Sequence, residues 1–174
     1  MENETAQTEK VTTRSIGVKF GLYGALCRVL LFAVAIAFGI NAFDGPISWI
    51  GLVVGIVVIV LAHIQFKKDG DGHMEYGQGV GISFWTGLIG VLIGVPVMYI
   101  YLTFVDSAPF DMFLAQQEEK MIAGGAPQQA IDMGLSWTKK LFWPMAIIGG
   151  LIGSVIIGLI VSIFTKKSAP EMPI

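Results

Sequence analysis

Four long apolar runs constrain this chain more than any other feature: Ile16–Phe43, Ile47–Phe66, Val80–Phe104 and Leu141–Phe164. Each holds the ~20 mostly apolar residues that a helix rising ~1.5 Å per residue needs to cross a bilayer. Lys19 and Arg28 are the charges in the first run, and the other three carry none. The composition agrees: 54% of the 174 residues are hydrophobic and 14% charged, against about 25% charged in an ordinary soluble domain. A soluble fold this apolar would expose surface it cannot bury. The expected fold class is therefore an all-α membrane protein, a four-transmembrane-helix bundle with spans at about 18–41, 47–66, 80–104 and 142–165.

The bundle is expected over residues 16–167, between a polar tail at 1–15 and a short tail at 168–174. The first tail lacks the basic-then-apolar order of a secretory signal. The first two spans are joined by Asn41-Ala42-Phe43-Asp44-Gly45-Pro46, a turn so short that its helices must be antiparallel neighbours. Lys10, Arg14, Lys19, Lys67, Lys68, Lys166 and Lys167 fall on one side of four spans, and Lys120, Lys139 and Lys140 on the other. The excess of basic residues puts both termini in the cytoplasm.

Residues 105–140 form the one long connection and are expected outside. Pro109-Phe110-Asp111 reads as a helix start, and Phe110, Phe113, Leu114 and Met121 make an apolar stripe opposed by Gln116, Glu119 and Lys120. Gly124-Gly125 ends that helix, and Pro127 suits the first position of a second one running toward Trp137. The segment reads as two short amphipathic helices on the membrane boundary, or equally as a solvated helical loop. Pro144 is placed to start or kink the last span.

The stretch FKKDGDGHMEYGQG (66–79) invites a metal or phosphate reading. Counted from Asp69 as a calcium loop, its twelfth position is Val80 where a glutamate is required. Gly77, Gly79 and Gly81 follow a turn rather than the strand of a dinucleotide fold. The plain reading is a cytoplasmic hairpin. Lys67, Lys68, Asp69, Asp71, His73 and Glu75 would then offer a contact surface to a partner.

Arg28 is the informative residue. An arginine near the centre of a membrane helix costs about 2.5–3.5 kcal/mol to insert. Gly17, Gly21, Gly24 and Arg28 share one helical face, whose small residues admit a close neighbour and direct Arg28 into the bundle. No acid lies inside any span, so the acceptors on offer are Ser83, Thr86, a carbonyl, a lipid phosphate or another subunit. The alternative is an arginine that snorkels to the headgroups. Gly51 and Gly55, Gly90 and Gly94, and Gly149 and Gly153 with Gly158 place GxxxG pairs in the remaining spans, which promote helix packing within or between chains.

Nucleophile–base pairs, zinc-protease motifs and phosphate loops are missing from the sequence, and Cys27 stands alone. No enzymatic activity, metal or cofactor is expected. The net charge of −2 gives no reason to expect nucleic acid.

FKKDGDGHMEYGQG, the Gln-Glu-Glu segment before the last span, Pro144 and the ending GLIVSIFTKK resemble an uncharacterised bacterial family of small four-span inner-membrane proteins, carried as a domain of unknown function. The likeness covers about Ser15–Lys167. It implies a multi-pass protein of the bacterial inner membrane and carries no activity with it. The expected role is a non-enzymatic accessory or scaffold subunit. The alternatives are a homo-oligomeric transporter or channel for an anionic solute, and a lipid-binding protein. Membrane lipids and a protein subunit, or a second copy of the chain, are the partners expected.

Overall fold

A computed structural model describes residues 11–43 and 45–168. It contains five helices: α1 (Thr13–Ala37), α2 (Gly45–Asp69), α3 (Tyr76–Phe104), α4 (Ala108–Ala123) and α5 (Gln128–Thr165). Of these, α1, α2, α3 and α5 are long and apolar enough to cross a membrane. Lys10, Asp44 and most of the C-terminal tail lie outside the described residues.

Helix α1 begins at a capping box in which Thr12 Oγ1 accepts from Ser15 N (3.0 Å) and Ser15 Oγ accepts from Thr12 N (3.2 Å). It ends at Ala37, four residues before the boundary expected near 41. The reason is Gly39, whose φ of +64° reverses the chain. Ile40 N donates to Ala35 O (2.8 Å) and Gly39 N to Ile36 O (2.9 Å), the paired bonds that a left-handed glycine brings to a helix end. Gly125 ends α4 in the same way, with φ +75° and Ala126 N donating to Met121 O.

Helix α3 lies at the centre, packed most extensively on α1 and α5, while α2 leans mainly on α1 and touches α3 and α5 lightly. Close approach of α1 and α3 depends on Gly17 and Gly21. A Cβ on Gly17 would stand 2.9 Å from Ile82 O, and one on Gly21 would stand 3.0 Å from Thr86 O. Helices α3 and α5 interlock by a different device. Gly79 faces Ser162, Ser83 faces Gly158, Gly87 faces Ser154, and Val91 faces Gly150. Every level pairs one glycine with one larger side chain, and glycine alternates between the helices down all four levels. Four-residue spacing keeps each row on one helical face, so small meets larger with no room to spare.

At the end of the bundle that holds both described chain ends, Met74 and Lys167 exchange both backbone hydrogen bonds, 2.9 Å each. Ile16, Ala62, Phe66, Met74 and Ile82 form a buried cluster there. The opposite end is aromatic: Phe43 meets Phe32, Phe113 and Phe142, and Phe32 also meets Tyr101.

Two expectations for the 105–140 connection change. The second short helix does not exist as a separate element, because α5 runs unbroken from Gln128 to Thr165. Its 38 residues reach about 57 Å, well beyond a hydrocarbon core of about 30 Å. Pro144 lies inside it, not at its start. The stripe on α4 also turns inward: Phe110 and Phe113 pack on Phe142, Leu114 is buried, and Met121 reaches Gly134.

Candidate functional site

Arg28 stands on α1 with its guanidinium between α2 and α3. Its Nη2 is 3.4 Å from where a Cβ on Gly55 would be, and its Nη1 is 3.8 Å from the corresponding point on Gly90. Two glycines therefore provide the space that the planar group occupies. Gly90 is fourteen residues from each end of α3, so the charge sits about 21 Å from either helix terminus. That is the middle of the span.

Around this charge the bundle is hollow. A cavity of about 650 Å³ runs from Arg28 toward Phe43, between Ile47 and Gly51 of α2 and Met145 and Gly149 of α5. A second hollow of about 170 Å³ extends from Arg28 along Gly90, Gly94 and Met98 of α3. A narrow third space reaches Gly24, Gly55 and Thr86. Arg28 lines all three, which is why its side chain is exposed although it lies mid-span. The larger cavity is within the range of ligand sites, about 300–1,000 Å³.

The guanidinium makes no hydrogen bond or ion pair among the described residues. Thr86, on the floor of the narrow space, is 7% exposed and its Oγ1 has no hydrogen-bond partner. Ser83, the other side chain expected as an acceptor, is engaged elsewhere: its hydroxyl donates to Gly79 O (3.0 Å) and its oxygen stands 3.3 Å from His63 Nε2. Five guanidinium donors and one hydroxyl donor thus face a hollow with apolar and glycine walls. Such an arrangement is chemically suited to an anion, because an apolar medium strengthens a charge-assisted hydrogen bond.

The glycine pairs divide into two sets. Gly17 and Gly21 lie against the α3 backbone, and a Cβ on Gly24 would stand 3.4 Å from Val58. A Cβ on Gly51 would meet Leu31 at 3.9 Å, one on Gly55 or Gly90 would meet Arg28, and one on Gly94, Gly149 or Gly153 would meet nothing within 4 Å. The second set faces no backbone of another helix within 4 Å; most of its members wall the hollows around Arg28. Gly158 belongs to the interlock with Ser83. Tight packing on α3 and α5 instead involves Gly79, Gly87 and Gly150, which sequence reasoning passed over because they form no GxxxG pair with each other.

Below the cavity, toward the chain ends, α2 is held shut against α5. His63 is fully buried. Its Nε2 is 2.9 Å from Gly79 O, an acceptor, so this nitrogen carries a proton. Its Nδ1 is 2.8 Å from Thr165 Oγ1. Lys67 Nζ donates to Thr165 O at 2.8 Å, capping a carbonyl that the end of α5 leaves free. These bonds bring together residues of α2, α3 and α5 at one end only, and the other half of α2 stays apart from α5.

In the 66–79 stretch, Lys68, Asp69, Asp71 and Glu75 are exposed, and Lys67 and His73 are half-buried. Asp69 Oδ1 accepts from Gln65 Nε2 (2.7 Å) and Asp71 Oδ1 from His73 N (3.1 Å). Glu75 N donates to Gln78 Oε1 (2.8 Å) at the start of α3. These bonds shape a turn, and the described residues contain no group of three or more metal-ligating His, Cys, Asp or Glu side chains.

No curated protein and no solved structure matches the chain. One family does, described as "Protein of unknown function (DUF4199)", and its match runs over residues 19–167, through all four spans and the Arg28 cavity. The chain is thus an integral membrane protein with four candidate transmembrane helices, and it belongs to the DUF4199 family.

Proposed function

We propose that this is a non-enzymatic membrane protein that holds an anionic oxygen group, a phosphate or a carboxylate, on Arg28 inside the bundle. One observation carries the reading: the Arg28 guanidinium, at mid-span and without a hydrogen bond or ion pair among the described residues, faces a cavity of about 650 Å³. A cation in that position is costly, and an anion that enters the cavity compensates it. Of the roles open to such a protein, binding or passage of an anionic ligand fits this geometry best.

Thermal unfolding of delipidated protein in detergent tests the reading against inorganic phosphate, a short dicarboxylate and phosphatidic acid. At one hundred times its dissociation constant, a ligand of the native state adds about 2.7 kcal/mol. That gain should persist in part in Arg28→Lys and vanish in Arg28→Leu. No stabilisation by any of the three would overturn the proposal.

A second reading, an accessory or scaffold subunit, is favoured by the unfilled space beside Gly149 and Gly153, where a helix of another subunit carrying an acid would pair with Arg28. A mild-detergent pull-down that yields a stoichiometric partner, lost in Arg28→Leu, would select it.

Arg14, Lys19, Lys67, Lys68, Lys166 and Lys167 at one end of the bundle favour that end as the cytoplasmic one. The bacterial inner membrane is the matching location. The cavity then opens in the outer half, and the exposed Met112, Ile122, Met133 and Trp137 suit α4 and the start of α5 to the outer membrane boundary.

A further inference from the structure

Resting on the Arg28 reading above, the geometry points to the class of ligand: an anionic lipid, which enters sideways between α2 and α5, sets its phosphate on Arg28 and leaves its hydrocarbon in the gap. The walls decide this. Of the fifteen residues around the 650 Å³ cavity, Arg28 and Ser48 are the polar ones; the rest are aliphatic, aromatic or glycine. A free hydrophilic anion would satisfy one side of itself on the guanidinium and lose its remaining hydration to carbon. A lipid phosphate brings its own apolar portion to meet those walls, at roughly 25 cal/mol per Å² of apolar surface covered.

The path into the cavity has the same character. Its two sides are the Gly51 face of α2 and the Gly149 and Gly153 face of α5, and a Cβ added to either α5 glycine would meet nothing within 4 Å. His63, Lys67 and Thr165 fasten the two helices at the end near the chain ends, and the Phe43 cluster covers the other end. What remains open is the flank, where the solvent is lipid. Thr86 Oγ1, buried and unpartnered on the floor beside Arg28, supplies a further donor to the phosphate. A separate groove of about 500 Å³ between α4 and α5, lined by Phe113, Trp137, Leu141 and Phe142, meets the cavity at Met145 and Ala146. A lipid with two chains has a place for each.

Native mass spectrometry of the delipidated full chain tests this, titrating dioleoyl phosphatidic acid against dioleoyl phosphatidylcholine, with inorganic phosphate as competitor. Wild type should bind phosphatidic acid at least about tenfold more tightly than phosphatidylcholine, and equimolar inorganic phosphate should not displace it. Gly149→Leu, whose side chain would fill the gap, should reduce phosphatidic acid binding about tenfold or more. Gly51→Leu fills the gap from the opposite wall and guards against a folding defect in the first variant.

Displacement by equimolar inorganic phosphate, or wild-type lipid binding in both glycine variants, would overturn the lipid assignment and leave the anion site standing. A preference for phosphatidic acid that survives Arg28→Leu would instead remove the anion site itself.

Discussion

Replacing Gly87 by alanine puts a methyl group into the place of the Ser154 side chain. The three nearest atoms to that methyl are Ser154 Oγ, Cβ and Cα, and the first two are far inside van der Waals contact. Either α3 and α5 separate or Ser154 leaves its rotamer, in which its hydroxyl donates to Leu151 O at 2.8 Å. Overpacking of this kind costs about 1–3 kcal/mol. The clash belongs to one side chain, so it is reversible by design. With glycine at 154, the nearest remaining atom is its Cα, 3.8 Å away in ordinary contact. Ser154→Gly alone should cost about 1 kcal/mol, from backbone freedom and the lost packing. The double variant G87A/S154G should lose about 1–3 kcal/mol less than the sum of the two single losses, the coupling expected of residues in direct contact. Reversible unfolding in mixed detergent micelles, followed by circular dichroism, measures all four proteins. Additivity within about 0.5 kcal/mol would refute the interlock of α3 and α5.

Other expectations follow from neighbouring features. Arg28→Leu should raise the stability of the ligand-free, delipidated protein by about 2–3 kcal/mol, because it removes an unpaired cation from mid-membrane; the same unfolding assay reads this, and a loss of stability would contradict it. His63→Ala should destabilise by about 2–4 kcal/mol, through a cavity and the loss of partners for Gly79 O and Thr165 Oγ1. Spin labels on α2 and α5 near that end should then report a broader distance distribution, and an unchanged one would discount the fastening role. Gly21→Ala should cost about 1–3 kcal/mol, since its methyl would stand 2.7 Å from Ile89 Cβ. Gly94→Ala and Gly153→Ala, which meet open space, should be neutral or stabilising by up to about 1 kcal/mol. Equal effects at all three sites would argue against the division of the glycines.

That division shows where sequence reading stopped. Apolar runs located the four membrane helices because length and hydrophobicity alone select them. The spacing of Gly17, Gly21, Gly24 and Arg28 also located a face whose members turn toward the bundle. Which glycine contacts what was not legible: the Gly17–Gly21 pair and the Gly149–Gly153 pair have the same spacing, yet one touches α3 and the other touches nothing. The difference is tertiary, set by where α2 leans. The α3–α5 interlock needs two rows read against each other in antiparallel register, which no single helix displays. The fastening by His63 is invisible in the sequence because one of its partners, Thr165, is 102 residues away. Continuity of α5 was hidden by Pro144, a residue that a helix tolerates at a kink as readily as at a start.

The contact between the Arg28 guanidinium and a phosphate is open to direct measurement. The sequence has two arginines, Arg14 and Arg28. Arg14 lies over the Trp85 ring at 5.1 Å, so Arg14→Lys keeps a cation there and leaves Arg28 as the one arginine. Solid-state NMR of this variant, with ¹⁵N-labelled arginine in membranes containing phosphatidic acid, reports dipolar coupling between guanidinium nitrogen and lipid ³¹P. Clear ³¹P-dependent dephasing of the Arg28 signal is expected, as a guanidinium–phosphate hydrogen bond requires. An Arg28 signal untouched by ³¹P in those membranes would contradict it.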